Sequence, residues 1–353
     1  MSAPFPLFAY LNARVRALKS QLFSREQFEE FIRQDDLDRM INTLLGSVYH
    51  HEMAEALARN KGADAIEEAV TRHLLATAKT MVQRAEEHPR TLLVMFLTRW
   101  DLNTVKALLR LRHQDIPAHE ARALLLPGAD IPPAVQQRMA ESESMEELVG
   151  KLTAWNSGLC SGLREALPGY RETGRLSVLE DALDRQYFVE NAATLKNSRE
   201  ENEQLLHFFL QIEIDLINLR LAFARLRQEK QAPIPDERFL PEGTLPFKLL
   251  ARLGRAQDAG EAAELLKNTR YMAFLDELYQ FMQTKRFSPV ERLFQRVLMN
   301  ELRRLAILNP LGIAVVMDFA WRKYNEGINL RLVARGLAGH LPSGRVREEL
   351  VFP

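Results

Sequence analysis

Apolar residues recur at alternating spacings of three and four positions in long segments of this chain. One such stripe comprises Leu205, Phe209, Ile212, Leu216, Leu219, Phe223 and Leu226, and another comprises Leu93, Leu97, Trp100, Thr104, Leu108 and Leu111. This spacing places the apolar side chains on one face of an α-helix. Proline, which interrupts helical hydrogen bonding, is absent between Pro6 and Pro89 and between Pro168 and Pro233. The pattern therefore predicts an all-α protein.

The middle stripe is preceded by a helix-start signal. Ser198 and Glu201 have the spacing of a capping box, in which the hydroxyl accepts from a backbone amide and the carboxylate reaches back. We therefore expect a helix that begins near Arg199 and runs to about Lys230.

The two other long helices carry proline signals near their starts. Pro89 fits the first turn of its helix, where a missing amide donor costs nothing. Asn309 and Pro310 predict a cap followed by the first helical residue of the last long helix, and Gly336 predicts its end. The apolar stretch 305–321 is accordingly interpreted as a loop followed by a buried helix. It is shorter than the ~20 residues that a membrane-spanning helix needs.

A short block with one residue pattern occurs three times. Residues 100–106 return as residues 214–220, which lie 114 positions later, and again as residues 325–331, a further 111 positions on. Two proline pairs, Leu126–Pro127 with Ile131–Pro132, return 114 positions later as Leu240–Pro241 with Leu245–Pro246. The spacing predicts three similar helical units, 1–132, 133–246 and 247–353. A triplicated scaffold favours a ring-like or funnel-like body around a central axis.

Composition limits the possible partners. The chain has 47 basic and 47 acidic residues, so its net charge is zero and it has no general attraction to nucleic acid or an anionic membrane. The single cysteine, Cys160, cannot form an internal disulfide and is compatible with a reducing compartment. The start of the chain has no cleavable apolar core, so no secretory signal is expected.

Motifs for catalysis are incomplete. Gly150–Lys151 lacks the remainder of a phosphate-binding loop, and His51–Glu52 lacks the second histidine of a zinc-protease helix. The segment 158–162 does not match a nucleophile elbow, which leaves Cys160 in a contact of small residues between helices. We therefore expect no catalytic residue, no metal and no cofactor.

Basic residues crowd the end of each repeated helix. Two readings stay open for them. In the first, they complement the negative end of the helix dipole, and each charge stabilises the helix by ~0.3–1 kcal/mol. In the second, they form or support a polar collar that contacts a partner. The candidate partner-contact residues are Lys106, Arg110, Arg220, Arg225, Arg331 and Arg335.

The first helix carries the polar cluster Asn12, Arg14 and Arg16, alternating with small apolar residues, and is expected to reach Leu22. A structural role, tying this helix to its neighbours through buried hydrogen bonds or ion pairs, is favoured over partner contact.

Three segments in order, 10–20, 215–220 and 329–336, and then the residues 347–350, resemble the C subunit of prokaryotic V-type and A-type rotary ATPases. The eukaryotic counterpart is called the d subunit. The resemblance spans Tyr10 to Leu350. The first block departs from the pattern at Thr104, where the other two blocks have Asn218 and Asn329.

The resemblance implies an all-helical, funnel-like protein of three similar subdomains around a pseudo-threefold axis. It implies a non-catalytic subunit of the central rotor, a socket that transmits torque between the central-stalk subunits of D/F type and the membrane proteolipid ring. The protein would be peripheral, on the cytoplasmic face of the membrane, with no transmembrane segment of its own and no nucleic-acid partner.

Two other functions remain open from the residues alone. Three helical units could form a soluble adaptor or scaffold that binds peptides or proteins, although solenoid repeats are usually much shorter than ~110 residues. A helical enzyme is the third hypothesis, and it predicts a compact pocket lined by titratable groups with shifted pKa values.

Overall fold

The computed structural model describes residues 8–120, 125, 129–226, 232–272, 276 and 288–352. Every regular element in these ranges is a helix, which confirms the all-α prediction. The helices are α1 (Ala9–Lys19), α2 (Arg25–Gln34), α3 (Leu37–Leu45), α4 (His50–Leu57), α5 (Gly62–Arg84), α6 (Glu87–His113), α7 (Pro133–Ala140), α8 (Met145–Trp155), α9 (Ser157–Cys160), α10 (Gly162–Thr173), α11 (Ser177–Asp184), α12 (Glu190–Leu195), α13 (Glu201–Leu226), α14 (Phe247–Leu253), α15 (Ala259–Leu266), α16 (Ser288–Leu308), α17 (Ile313–Ala338) and α18 (Ser343–Glu349). A π-helical turn, Arg185–Val189, joins α11 to α12, and a 3-10 turn covers Asp236–Arg238.

The chain folds into two compact units. The first comprises residues 1–155 and 302–353, and the second comprises residues 156–301. The division into three repeat units at 132/133 and 246/247, and their funnel-like arrangement, stay predictions. Within the described ranges, no helix is both long enough and apolar enough to cross a membrane.

Helix α17 is the centre of the first unit. It packs against α5 and α1, and also against α2, α3, α6 and α18. Buried side chains occur on all sides of this helix because residues from Ile313 to Leu337 are largely apolar. A loop at residues 309–312 precedes it, as predicted, but residues 305–308 of the predicted loop are the end of helix α16.

Both predicted apolar stripes are buried. The α6 stripe is buried throughout, and in α13 the stripe is buried except for Leu205, which is half-buried. The buried surface of α13 is wider than the stripe and includes the polar residues Glu213, Asp215 and Asn218. Pro89 lies in the first turn of α6, as predicted.

Helix α13 begins two residues after the predicted Arg199, and the predicted capping box of Ser198 and Glu201 was wrong. The Ser198 hydroxyl accepts from the Glu200 amide at 3.0 Å. The Glu200 carboxylate accepts from the Glu203 amide at 2.8 Å and therefore caps the helix, which begins at Glu201. The Ser198 hydroxyl thus orders the turn before the helix. The predicted end at Lys230 lies outside the described residues.

The predicted limits of α17 were also wrong. The helix begins at Ile313, after the extended residue Gly312, and the carbonyls of Pro310 and Gly312 accept from side chains of α1. It continues through Gly336 to Ala338. Gly336 instead permits a close approach to α18, since a Cβ atom there would lie 2.5 Å from Cγ2 of Val346.

The N-terminal polar cluster has the predicted role, a buried hydrogen bond to a neighbouring segment, at Asn12, whereas the bond of Arg16 is exposed. Asn12 donates to the Gly312 carbonyl at 3.1 Å, and Arg16 donates to the Pro310 carbonyl. Both bonds tie α1 to the loop before α17. Helix α1 ends at Lys19, earlier than the predicted Leu22.

Candidate functional site

The acidic residue of each repeated block is buried inside its own unit. Asp101, Asp215 and Glu326 are 3%, 0% and 4% exposed. Charged side chains at such positions require several hydrogen-bond donors, because burial removes their water. In the first two repeats the donors come from the segment that follows the helix. In the third they come mainly from the N-terminal segment, residues 23–49.

In the first two repeats, backbone amides of the segment after the helix hold this carboxylate. Oδ1 of Asp101 accepts from the amides of Ala129, Asp130 and Ile131 at 2.9, 2.9 and 3.2 Å. Asp215 accepts from the Thr244 and Leu245 amides at 3.1 and 3.0 Å, from the Tyr271 hydroxyl at 2.8 Å and from the Thr244 hydroxyl. Ile131 and Leu245 are the residues before the repeated prolines, and both lie 30 positions after their carboxylate.

A second polar contact recurs in the second and third repeats. The Asn218 amide group donates to the Leu240 carbonyl at 2.9 Å and accepts from the Leu240 amide at 2.8 Å. Asn329 makes the same pair with Val351, at 2.8 and 3.3 Å. Each partner lies 22 positions after its asparagine. At the equivalent Thr104, the hydroxyl donates to the Trp100 carbonyl of its own helix at 3.0 Å, and the partner predicted by the spacing, Leu126, lies outside the described residues.

The third carboxylate is held by the opposite end of the chain. Glu326 accepts from the Phe23 amide at 2.6 Å and from the Tyr49 hydroxyl at 2.7 Å. Lys323 donates to it at 2.7 Å. The N-terminal segment therefore supplies the contacts that the segment after the helix supplies elsewhere.

Burial shifts the pKa values of these groups. It raises the pKa of Asp101 to about 6, although the three amides favour the charged form. Burial also raises the pKa of Asp215 and lowers the pKa of the Lys323 ammonium. The pKa of Tyr49 lies well above its usual value because of burial and the Glu326 charge. Since each group is bonded within its own unit, we interpret these shifts as consequences of structural contacts.

In the second unit, the candidate basic residues have internal partners. Arg220 is exposed and pairs with Glu291 at 2.5 Å, with its guanidinium 5.7 Å from the centre of the Phe294 ring. Arg225 donates to the Ala232 and Ala256 carbonyls at 3.2 and 2.6 Å, so it braces the chain after α13. Arg220 is thus placed to reach a partner, and Arg225 is placed to support the helix end.

In the first unit, the candidates differ in accessibility. Arg110 is exposed and Lys106 is half-buried. Arg331 is only 6% exposed and donates to the Leu125 carbonyl at 2.9 Å. Arg335 binds both oxygens of Glu67, one of them at 2.9 Å. Contact of any of the six with a partner stays a prediction.

A cavity of about 460 Å³ lies beside Arg331 in the first unit. Its polar walls include Asp64, Glu67, Glu68 and Gln137. Sequence reasoning did not find these residues, because they come from helices far from Arg331 in the chain. It also did not select the buried carboxylates, although their recurrence in all three blocks was a visible signal.

The sequence profile of the ATP synthase (C/AC39) subunit family matches residues 11–349. The chain is 27% identical to the C subunit of the A-type ATP synthase of Methanothermobacter thermautotrophicus, over 94% of this chain and 84% of the relative. It is 26% identical to the C subunit of the V-type ATP synthase of Deinococcus radiodurans, over 97% and 91% of the two chains. The A-type C subunit of Haloquadratum walsbyi is also 26% identical, over 97% of both chains. The chain therefore belongs to the ATP synthase (C/AC39) subunit family and is a non-catalytic subunit of a rotary ATPase.

Proposed function

We propose that this chain is the central-rotor socket of its ATPase, a part that links the central stalk to the membrane ring and transmits torque. Its partners would be stalk subunits of D/F type on one side and the proteolipid ring on the other. It would lie on the cytoplasmic face of the membrane as a peripheral subunit.

The bonding of Glu326 to the N-terminal segment is the structural observation that best supports this proposal. Both ends of the chain belong to one compact unit, and Glu326 bonds to Phe23 and Tyr49 in its core. A part that carries torque must resist being pulled open. Tightly packed helices joined by buried hydrogen bonds deform little under load.

An affinity pull-down from mildly solubilised membranes of the protein's own source tests the assignment. We expect mass spectrometry to find a small ring-forming membrane protein together with stalk and nucleotide-binding head subunits. Recovery of soluble partners only, under conditions that preserve other membrane complexes, would contradict the socket and favour an adaptor function.

The proposed collar is tested with exposed residues, because reversal of the buried Arg331 would also unfold the helix around it. We expect Arg110→Glu to weaken binding of purified stalk subunits while the far-ultraviolet circular dichroism stays unchanged. Arg345→Glu is the control, since Arg345 is also an exposed arginine of the first unit. Equal binding of the stalk subunits by both variants would show that Arg110 does not belong to the collar.

A further inference from the structure

The corner between α16 and α17 exposes aliphatic side chains. Ile307, Leu308 and Leu311 are 68%, 66% and 51% exposed, and they lie at the end of α16 and in the loop that follows it. All three belong to the first unit. Single exposed apolar residues are ordinary on a protein surface, whereas a contiguous apolar surface marks an interaction site. We call these three residues the aliphatic tip.

Arginines lie one helical turn behind this tip. Arg303 and Arg304 are exposed and precede the first two residues of the tip by four positions. Each therefore lies on the same face of α16 as its aliphatic neighbour, about 6 Å further from the end of the helix. Arg16 of α1 is also exposed and donates to the Pro310 carbonyl in the loop. We call the three arginines the basic rim.

A groove of about 180 Å³ enters the corner between α1, α16 and α17. Its floor is apolar and includes the buried side chains of Val15 and Phe319. Its edge carries Arg16, Lys19 and Arg303. The groove thus continues the combination of apolar and basic groups from the surface towards the core of the unit.

The charge around this groove is positive. Asp318 is the one acidic residue among the described lining, and it is bound by Lys19 and by Arg322, the latter at 2.8 Å. Arg303 has no ion-pair or hydrogen-bond partner for its side chain within the described ranges. The corner therefore attracts an anion, although the net charge of the whole chain is zero.

A ligand that fits this corner combines an apolar chain with a negative charge. A bilayer that contains anionic phospholipid presents both, with the acyl chains at depth and the phosphates above them. An aliphatic tip reaches the acyl chains while arginines one turn behind it stay at the level of the phosphates, an arrangement typical of binding at a membrane interface. A free phosphate would use the rim alone and leave the tip in water. Protein interfaces are enriched in aromatic residues, and the tip has none.

We infer that this corner binds anionic phospholipid of the bilayer. The aliphatic tip enters the upper part of the acyl-chain region, and the basic rim holds headgroup phosphates. The inference goes beyond the proposed socket, because the contact is with lipid itself and needs no other subunit of the ATPase.

The test measures flotation of the purified full chain with phosphatidylcholine vesicles that contain about 30% phosphatidylglycerol. We expect Leu311→Ser to weaken binding by about fivefold, because about half of this side chain is free to enter the bilayer. Leu341→Ser is the matched control. Leu341 is 55% exposed in the same unit, but it lies beyond the far end of α17, a helix of 26 residues that is about 39 Å long. The control should change binding less than about twofold.

A second pair of variants tests the charge. Arg303→Glu should weaken binding by about tenfold or more, because one basic group near an anionic surface contributes about fivefold and the new carboxylate is repelled. Arg345→Glu is its control, an exposed arginine of α18 beyond the far end of α17. Salt should weaken wild-type binding by screening. Far-ultraviolet circular dichroism should be unchanged in all four variants, since all four side chains are exposed.

Three results would overturn the inference. They are equal vesicle binding by Leu311→Ser and Leu341→Ser, wild-type binding that does not depend on phosphatidylglycerol, and a wild-type chain that does not bind vesicles but binds the purified proteolipid ring through Leu311. The last result would assign the corner to ring protein and leave the socket intact. A chain that binds vesicles as expected, but is not recovered with stalk and ring subunits in the pull-down, would contradict the socket and leave the lipid contact intact.

Discussion

The same substitution, aspartate to asparagine, should destabilise the protein at Asp215 and have little destabilising effect at the equivalent position Asp101. All three amides that hold Asp101 bond to Oδ1, so an asparagine keeps one oxygen in that place. Asp215 uses both oxygens for backbone donors, Oδ2 for Thr244 and Oδ1 for Leu245. Whichever way an asparagine is turned at position 215, its NH₂ group faces one of these amides.

The expected costs follow from these contacts. Asp215→Asn leaves one buried amide without an acceptor, which costs about 1–3 kcal/mol. The hydroxyls of Thr244 and Tyr271 reduce this cost by reversing to accept from the new NH₂ group. Asp101→Asn keeps its three bonds and removes a buried charge. At pH 7.5 the free energy of unfolding of Asp101→Asn should therefore lie within about 1 kcal/mol of the wild-type value, or exceed it.

The raised pKa of Asp101 makes the free energy of unfolding of the wild type fall as the pH rises. Its folded pKa, about 6, lies above the ordinary value of 3.8. Its contribution to stability is therefore fully present below about pH 4 and is lost as the pH rises through about 6. A shift of about 2 pKa units corresponds to about 3 kcal/mol as an upper bound. The stability of Asp101→Asn relative to the wild type should rise across this range and then level off.

Hydrogen exchange measured by mass spectrometry suits a protein with two compact units, because it reports the opening of each segment separately. We expect faster exchange at the amides of Thr244 and Leu245 in Asp215→Asn. The amides of residues 129–131 in Asp101→Asn should stay protected. Urea unfolding at pH 4.5 and 7.5 would measure the pH effect. Equal loss of protection in both variants, or none in either, would refute the reasoning.

Three further substitutions test other contacts. Asn218→Ala removes both buried bonds to Leu240 and should lower the free energy of unfolding by about 2–4 kcal/mol in urea, whereas a loss below about 0.5 kcal/mol would contradict the amide pairing. Gly336→Ala should cost about 1–3 kcal/mol because its Cβ meets Val346, and Val346→Ala in the same chain should recover part of the loss. Glu326→Ala breaks a buried ion pair and should cost about 3–5 kcal/mol, with faster hydrogen exchange in residues 23–49; unchanged exchange there would show that the N-terminal segment is held by other contacts.

Part of the candidate site was visible in the sequence and part was not. Recurrence of one block in three places identified the helices that carry Arg220 and Arg331, because duplication preserves residue order. Their different surroundings were not visible. Arg220 is exposed beside Glu291, whereas Arg331 is buried near Glu67. Burial depends on which helices pack around a position, and periodicity within one helix does not contain that information.

The sequence by itself determined the all-helical class, the two apolar stripes and the family, because these follow from local periodicity and from motifs in order along the chain. It did not determine the helix ends at Glu201 and Ala338, since capping depends on which polar groups are free once the chain has packed. Only the tertiary structure showed that the N-terminal segment bonds to Glu326. Those contacts join residues about 300 positions apart, and no local pattern specifies them.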